Sequence, residues 1–499
     1  MAAEIPAEGP ELTKEVGPNK GAIPSVVLAA KLDDDVRNNP VLLRALKKVD
    51  RRLLVWLAVL HFVFKFAETN ISNAAIMNLE QKTDIRRQLG HLTSSQWAWC
   101  ISIFWYPYMV FEPVSTMMVK RYTPSGWFAR IFFTWGIVSA CQAATQNYAG
   151  ILVCRFLLGV MEAGFYPSIV YHLSFWYHPD KMPLRLGINY NIGVSSGAVA
   201  GLIAYGVSFM NGLRGLSGWR WLFLLEGTPM IVIGVITYFI LTDYPQTAKF
   251  ITEEEREAII AHLPATGPTT RAKFWDKNGL KKLLRDPTHW CFLSIWTFGG
   301  IGGFGVTAVL PNIIYDMGLT GTAQTQLMTM PPYGLAWILV VVFGYFINKK
   351  KISAFAVAFG MVITQIICFI CLITINHTYA LYTFFIVACG CTFSIYPILW
   401  PERVRSVEGT TTAAIAFGLT NAVGCLAGII GPQIFQTKFG PRYRLSYGIA
   451  LVFLVGSSIS VVAAWYFCRR KFARQLQEIN EPHGVEVIAE EDGDLKVVT

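Results

Sequence analysis

From residue 53 onward, long apolar runs alternate with short polar joints, and the runs recur at one characteristic length. A helix needs about 20 apolar residues to cross the hydrocarbon core of a bilayer. Twelve runs meet that requirement. The first six are Leu53 to Met77, Trp97 to Val119, Trp127 to Thr145, Tyr148 to Tyr171, Leu186 to Met210 and Trp219 to Leu241. The others are Trp290 to Ile314, Thr325 to Ile347, Ile352 to Ile375, Tyr379 to Trp400, Thr411 to Phe435 and Leu445 to Cys468. In lipid every backbone N–H and C=O has to be paired inside the protein, so the runs predict helices. Trp97, Trp127, Trp176, Trp219, Trp290 and Trp465 stand near run ends, where indole rings favour the membrane interface.

The spacing divides the chain into a tail over 1–50, a six-helix half over 51–242, a polar linker over 243–289, a second six-helix half over 290–468 and a tail over 469–499. The expected class is an all-α integral membrane protein of twelve transmembrane helices in two halves. Within the linker, "TEEEREAII" sets Thr252 three residues ahead of Glu255, a capping-box pattern that predicts a short surface helix. Pro331 and Pro332 predict a local break in the eighth run. The loop after the second run of each half is short and basic, "KRYTPSG" and "INKKKIS".

Composition agrees with this pattern. The chain is 53% hydrophobic and 15% charged, with a mean hydropathy of +0.43, which excludes an ordinary soluble enzyme. The ten cysteines lie in or beside the runs, so they read as packing residues and not as a disulfide framework. "CFIC" and "CGC" sit in apolar helices with no neighbouring His or carboxylate, so no metal or other cofactor is expected.

The formal charge of +10 does not gather on one face, which argues against nucleic acid. It is distributed by topology instead. With the N-terminus inside, inner loops and flanks carry 21 Lys and Arg against 8 outside, so both termini are expected in the cytoplasm. No cleavable signal peptide is visible. The expected location is the plasma membrane, with several passes, as a monomer. Asn70-Ile-Ser and Asn376-His-Thr match the glycosylation pattern, but the first lies within a run and the second in a very short loop.

The ionisable residues inside the runs carry the chemistry. An ionised group at the centre of a membrane helix costs about 2.5–3.5 kcal/mol on insertion scales, so its default place is a protein interior or a watery cavity. Arg155, Gly159 and Glu162 follow an i, i+4, i+7 spacing and share one helix face. The rise between Arg155 and Glu162 is about 10 Å, too long for an easy direct ion pair. In the first run, His61, Lys65, Glu68 and Ser72 form another helical stripe, with Thr69 and Asn73 beside it. These two faces are expected to border one cavity.

Arg155, Lys65, Asn73 and Asn189 are the candidate substrate ligands, and Glu68, Glu162 and His61 the candidate proton carriers. Glu112, which precedes Pro113, and Glu226 read as structural partners. The glycines of "TFGGIGGFGV", Gly302 and Gly303 among them, and of "GCLAGIIGP", which ends in Pro432, read as tight packing or a gate, as does Gly159.

With these residues laid out, the chain resembles the major facilitator superfamily, and more closely its fungal anion:cation symporter group of allantoate, nicotinate and vitamin permeases. The resemblance runs from about Val49 to Phe472 and is carried by "CRFLLGVMEAGFYPSIVYHLSFWY", "GLSGWRWLFLLEGTP", "TDYPQTAKFITEEER" and "GPQIFQTKFGPRYRLSYG". It implies the major facilitator fold, with the site between the halves near the midplane. Arg155 with Gly159 matches the RxxxG motif of the fourth helix, which implies a place in the central cavity for Arg155. "KRYTPSG" occupies the place of the gating motif, which implies a gating role for Lys120 and Arg121, but Lys120 stands where the general pattern has Asp. In the first helix Ala67 and Glu68 precede "TNISNA" where the group often has Asp-Arg.

The function implied is proton-coupled uptake of a small organic anion, with the anion, protons and lipid as partners. Arg155 and Lys65 would hold a carboxylate through charge-assisted hydrogen bonds. Glu68 or Glu162 would carry the proton, because an anion that neutralises the cations lets a nearby carboxyl keep its proton. The alternative is proton-driven export of a secondary metabolite or drug-like compound. Such antiporters carry a Gly-Pro signature in the fifth helix, whereas "GVSSGAVAGLIAYG" has no proline. A membrane enzyme built on His172 and "YHPD" is a third class, and no P-loop is present.

Overall fold

The computed structural model describes residues 39–178, 181–263, 277–349, 351–407, 410–483, 486–489 and 495–498. The first half contains α1 (Pro40–Val49), α2 (Val55–Ala74), α3 (Ser94–Ser102), α4 (Trp105–Arg121), α5 (Pro124–Gln142), α6 (Tyr148–Glu162), α7 (Phe165–Leu173), α8 (Met182–Ser208) and α9 (Gly218–Ile240). Between the halves lie α10 (Glu253–His262) and α11 (Lys277–Arg285). The second half contains α12 (Pro287–Gly302), α13 (Leu310–Asp316), α14 (Thr322–Met328), α15 (Met330–Asn348), α16 (Ala354–Thr374), α17 (Thr378–Arg405), α18 (Thr410–Ile434) and α19 (Arg444–His483). Two short antiparallel strands, β1 (Glu486–Ala489) and β2 (Leu495–Val498), follow.

The fold is that of an all-α integral membrane protein. Among the described residues, ten helical stretches are long and apolar enough to cross a membrane. The second and third predicted runs fall on α3 with α4, and on α5.

Polar punctuation starts these helices. Asn39 accepts from the amides of Val41 and Leu42 ahead of Pro40, Thr93 and Gln96 form a capping box, and Thr123, Asn147 and Asp286 cap α5, α6 and α12. Each cap satisfies amides that the first helical turn leaves unpaired. The same chemistry starts α10, where Thr252 accepts from the Glu255 amide and the Glu255 carboxylate accepts from the Thr252 amide.

Several spans are broken, the eighth where its two prolines predict a break and the others where the sequence suggests one smooth run. The fourth divides at Ala163 and Gly164; Gly164 has φ of +79°, a conformation open to glycine at little steric cost. The seventh passes from α12 into a 3-10 turn over Phe304–Val309 and then α13. The eighth breaks at Thr329, just before Pro331 and Pro332. Irregular backbone at membrane depth is tolerated where protein or a cavity covers it.

The ends also extend past the expected runs. A π-helical turn over Asp50–Leu54 joins α1 to α2, and α19 continues to His483. Arg403, which reads in the sequence as an inner-loop charge, is instead fully buried in α17. It donates to Thr420, Ser406 and the Ala416 carbonyl and bonds His289 Nδ1 at 2.6 Å. One turn beyond the apolar run, this arginine ties α17 to α12 and α18 where the positive-charge pattern suggested exposure.

Packing repeats between the halves. In the first, α5 packs on α9, α2 on α8, and α4 on α6; in the second, α16 packs on α19, α12 on α18, and α15 on α17. The halves meet where α8 touches α14 and α15, and where α18 touches α3 and α4. Exchanging the halves carries one of these seams onto the other.

Hydrogen bonds across the seams gather at one end of the molecule. Ser72 Oγ donates to the Ala308 carbonyl (2.6 Å), Gln326 to the Asn73 carbonyl (2.9 Å), and the Thr322 amide to Glu80 (3.0 Å). Arg86 donates to Thr437 Oγ1 (3.2 Å), and Ser102 Oγ to the Ile429 carbonyl (2.9 Å). At the opposite end the ion pairs stay within a half or reach the linker. Arg185 grips Asp50 through two bonds of 2.7 and 2.9 Å, Lys471 holds Asp286 at 2.8 Å, and Lys48 holds Glu255 at 2.8 Å.

Candidate functional site: a charged cavity between the halves

Arg155 is built into place by a break in the neighbouring helix. The carbonyls in the last turn of α3 lack helical partners. Arg155 Nε donates to one of them, the Cys100 oxygen, at 3.2 Å, and its guanidinium carbon lies 4.9 Å from the Phe104 ring centroid. Gly159, one turn further along α6, makes the approach possible: a Cβ there would stand 2.2 Å from the Phe104 carbonyl oxygen. The RxxxG spacing thus has a local cause, a glycine that lets α6 close on the α3–α4 break and an arginine that caps it.

Arg155 is 5% exposed, and among the described residues no carboxylate lies within ion-pair distance of it. Its Nη atoms make no hydrogen bond within the described protein, and the residue lines a cavity between the halves. A buried guanidinium with one of its five N–H donors engaged is equipped to receive an anion.

Glu162 ends α6 at the fourth span's break and lines the same cavity. It is 2% exposed, and its Oε1 has no hydrogen-bond partner among the described residues. From α2, Lys65 and Glu68 reach the cavity as an ion pair of 2.5 Å. Ser72 and Thr69 complete that face, and Tyr190, Gly193 and Gly197 of α8 form the floor beside it. Two cations and two carboxyls therefore share one hollow, neutral overall when both carboxyls are ionised.

The other candidates lie elsewhere. His61, at the far end of the Lys65 stripe, bonds Asn189 through Nδ1 among the rings of Phe64, Phe165, Tyr166 and Tyr190. Asn189 is fully buried there and does not line the cavity, nor does Asn73, whose carbonyl takes the Gln326 bond. Glu226 accepts from Asn70 (3.0 Å) and Ser139 (2.8 Å), which ties α9 to α2 and α5. Glu112 accepts from Asn421 at 2.5 Å, linking α4 to α18 across the seam.

Among the gating candidates, Arg121 is exposed at the end of α4, and the Lys120 side chain lies outside the described residues. Gly302 packs on the Ala450 carbonyl and Leu454, Gly303 stands at the seventh span's break beside Thr392, and Pro432 lies inside α18.

Sequence reasoning missed the other side of the hollow. Trp105 and Phe104 from the first half, and Thr307, Ala308, Tyr333 and Phe393 from the second, line it. The aromatic residues sit in apolar runs where a lining ring and a lipid-facing ring look alike. A usable signal was present in the glycines opposite them. A Cβ on Gly428 would meet the Trp105 indole at 2.2 Å, and one on Gly197 would meet the Tyr333 ring at 2.3 Å.

The profile of the Major Facilitator Superfamily matches residues 57–432. The chain is 30% identical over 442 residues to the MFS transporter prlL of Fungal sp. (strain NRRL 50135), covering 86% of this chain and 87% of that protein. It is 27% identical to the high-affinity nicotinic acid transporter of Saccharomyces cerevisiae, covering 89% and 82%. Its fold is similar to the crystal structure of a bacterial homolog to the human lysosomal transporter Spinster in an inward-facing and occupied conformation. There the TM-score is 0.59 at 14% identity, with 85% of this chain and 97% of that chain covered.

Proposed function

We propose, from the premise that the chain belongs to the Major Facilitator Superfamily of membrane transporters, that it carries a small organic anion together with a proton by alternating access between its halves. The observation that carries this reading is Arg155: a buried guanidinium, one N–H engaged, no carboxylate beside it among the described residues, lining a hollow at the junction of the halves.

Charge balance supplies the coupling. Lys65 and Glu68 neutralise each other at 2.5 Å, which leaves Arg155 and Glu162 to balance across the cavity. An entering monoanion that binds Arg155 adds one negative charge to this enclosed space. At about 5 Å and an effective dielectric near 20, a like-charge pair costs about 3 kcal/mol. A proton on Glu162 removes that cost, so anion and proton enter as a neutral unit. His61 and Asn189, sealed among aromatic rings, serve the packing of α2 on α8 in this reading, and Glu112 and Glu226 tie helices together.

The bonds that gather near Glu80 and Thr437 support a state closed at that end, which in this reading faces outside the cell. Binding then opens the seams there and closes the opposite end. In this reading the chain acts as a monomer in the plasma membrane, with both termini in the cytoplasm.

The test is uptake into proteoliposomes across a panel of labelled carboxylates, with and without an inward proton gradient. The expected result is gradient-driven accumulation that a protonophore abolishes and that Arg155→Ala and Arg155→Lys each reduce at least about 100-fold, since lysine cannot reproduce the fork of guanidinium donors. Parent-like uptake by both variants would overturn the reading.

A further inference from the structure

The two halves contribute unlike walls to the cavity. Among the described residues, every carboxyl, ammonium and guanidinium group that lines it comes from the first half: Lys65 and Glu68 on α2, Arg155 and Glu162 on α6. The second half contributes Thr307, Ala308, Tyr333, Phe393, Ala427 and Gly428, two hydroxyls and no charge.

The uncharged wall is also aromatic. Tyr333 and Phe393, on α15 and α17, stack with centroids 4.5 Å apart and planes 21° from parallel. The Tyr333 ring presses so closely on Gly197 that a Cβ there would stand 2.3 Å from it. Across the other seam the Trp105 indole is seated on Gly428 in the same manner. A glycine under each ring and a stacked neighbour beside one leave flat apolar ring surface on the lining.

We infer that the transported anion is a monoanion with a flat, ring-bearing body, its carboxylate on Arg155 and its ring against the Tyr333–Phe393 wall. A dicarboxylate or a polyhydroxy acid would strand its far polar end against a surface with few groups to pair it, and an unpaired buried polar group is costly. A ring instead gains area burial together with offset or edge contacts to the aromatic wall. This inference rests on the anion reading of the same site and goes beyond it by naming the body of the substrate.

The test is ligand-induced thermal stabilisation of the purified full-length protein with benzoate, terephthalate, cyclohexanecarboxylate and succinate, because a ligand that binds the folded state raises the unfolding temperature with its concentration. The expected order has benzoate half-saturating at about tenfold lower concentration than succinate or terephthalate and severalfold below cyclohexanecarboxylate. Phe393→Leu should weaken benzoate about fivefold while leaving succinate unchanged.

Equal or tighter binding of succinate would overturn the ring-bearing substrate while leaving the anion reading intact. Equal weakening of benzoate and succinate by Phe393→Leu would reassign that ring to packing and overturn the aromatic wall. Stabilisation by no carboxylate of any shape would overturn both readings together.

Discussion

The Trp105 indole rests on Gly428, and a Cβ added to that glycine would stand 2.2 Å from the ring. Tyr333 rests on Gly197 in the same way, and the two contacts trade places when the halves are exchanged. Each seals one seam between the halves, so extra volume at either glycine acts on the seam and not on the interior of a half. Overpacking of a close-packed site costs about 1–3 kcal/mol. Gly428→Val should therefore lower uptake more than about tenfold at normal membrane abundance. Hydrogen exchange around Ser102 and Ile429, bonded across the same seam, should quicken as the seam loosens, and unchanged exchange there would show that the contact does not hold the halves together.

Glu226 offers a contrast between support and transport. Its two acceptor bonds come from Asn70 and Ser139, both outside the cavity lining. Ser139→Ala removes one donor from a buried carboxyl group and should destabilise the protein by about 1–3 kcal/mol. The substrate KM should stay at the parental value. A raised KM with unchanged thermal stability would place Glu226 in the substrate path.

Glu162→Gln keeps the shape of the side chain and removes its ability to exchange a proton. The variant should fold with parental stability, since the carboxyl oxygen Oε1 has no hydrogen-bond partner to lose among the described residues. Uptake down a substrate gradient should persist, and an imposed proton gradient should no longer accelerate it. Retained acceleration would move the coupling role to Glu68.

The linker contact between Lys48 and Glu255 sets a pH dependence outside the membrane. Burial disfavours charge on Glu255, but the Lys48 ammonium, the Thr252 amide and the more distant Arg44 outweigh it and hold the carboxyl below the usual glutamate range. A carboxyl depressed on folding contributes stability above its ordinary value, about 4.3, and loses it as pH falls through the lower folded value. Lys48 is 40% exposed, so screening limits the pair to no more than about 1 kcal/mol. Glu255→Gln should lower the unfolding temperature at pH 7, and its difference from the parent should vanish as the pH falls to about 3.

The membrane made much of this fold legible. Runs such as Ala354–Thr374 must be long, apolar and helical to cross lipid, and period and length suffice to mark them. Arg155, Gly159 and Glu162 were legible for a related reason: charge on a membrane helix has to face protein, and the spacing names the face. The break at Gly164 was hidden, because glycine followed by Pro167 also fits an unbroken membrane helix and the left-handed backbone is a tertiary outcome.

Tyr333 and Phe393 were hidden in another way. Only the meeting of α15 with α8 and α17 decides that these rings face the hollow, and that meeting lies in contacts between distant segments. His61 shows the limit of a helical stripe: it shares the face of Lys65, but α8 brings Asn189 over it and closes it away from the cavity.

The bonds linking Ser72, Asn73, Glu80, Arg86 and Ser102 to the second half act as a clasp on one lip of the molecule. At about 0.5–1.5 kcal/mol net for each bond, the clasp as a whole holds several kcal/mol. An empty carrier therefore springs open at that lip only rarely, fewer than about once in a hundred molecules at any instant. Slippage without freight is suppressed by the latch itself, and trimming one of its bonds would make the empty carrier leakier before it made the loaded one slower.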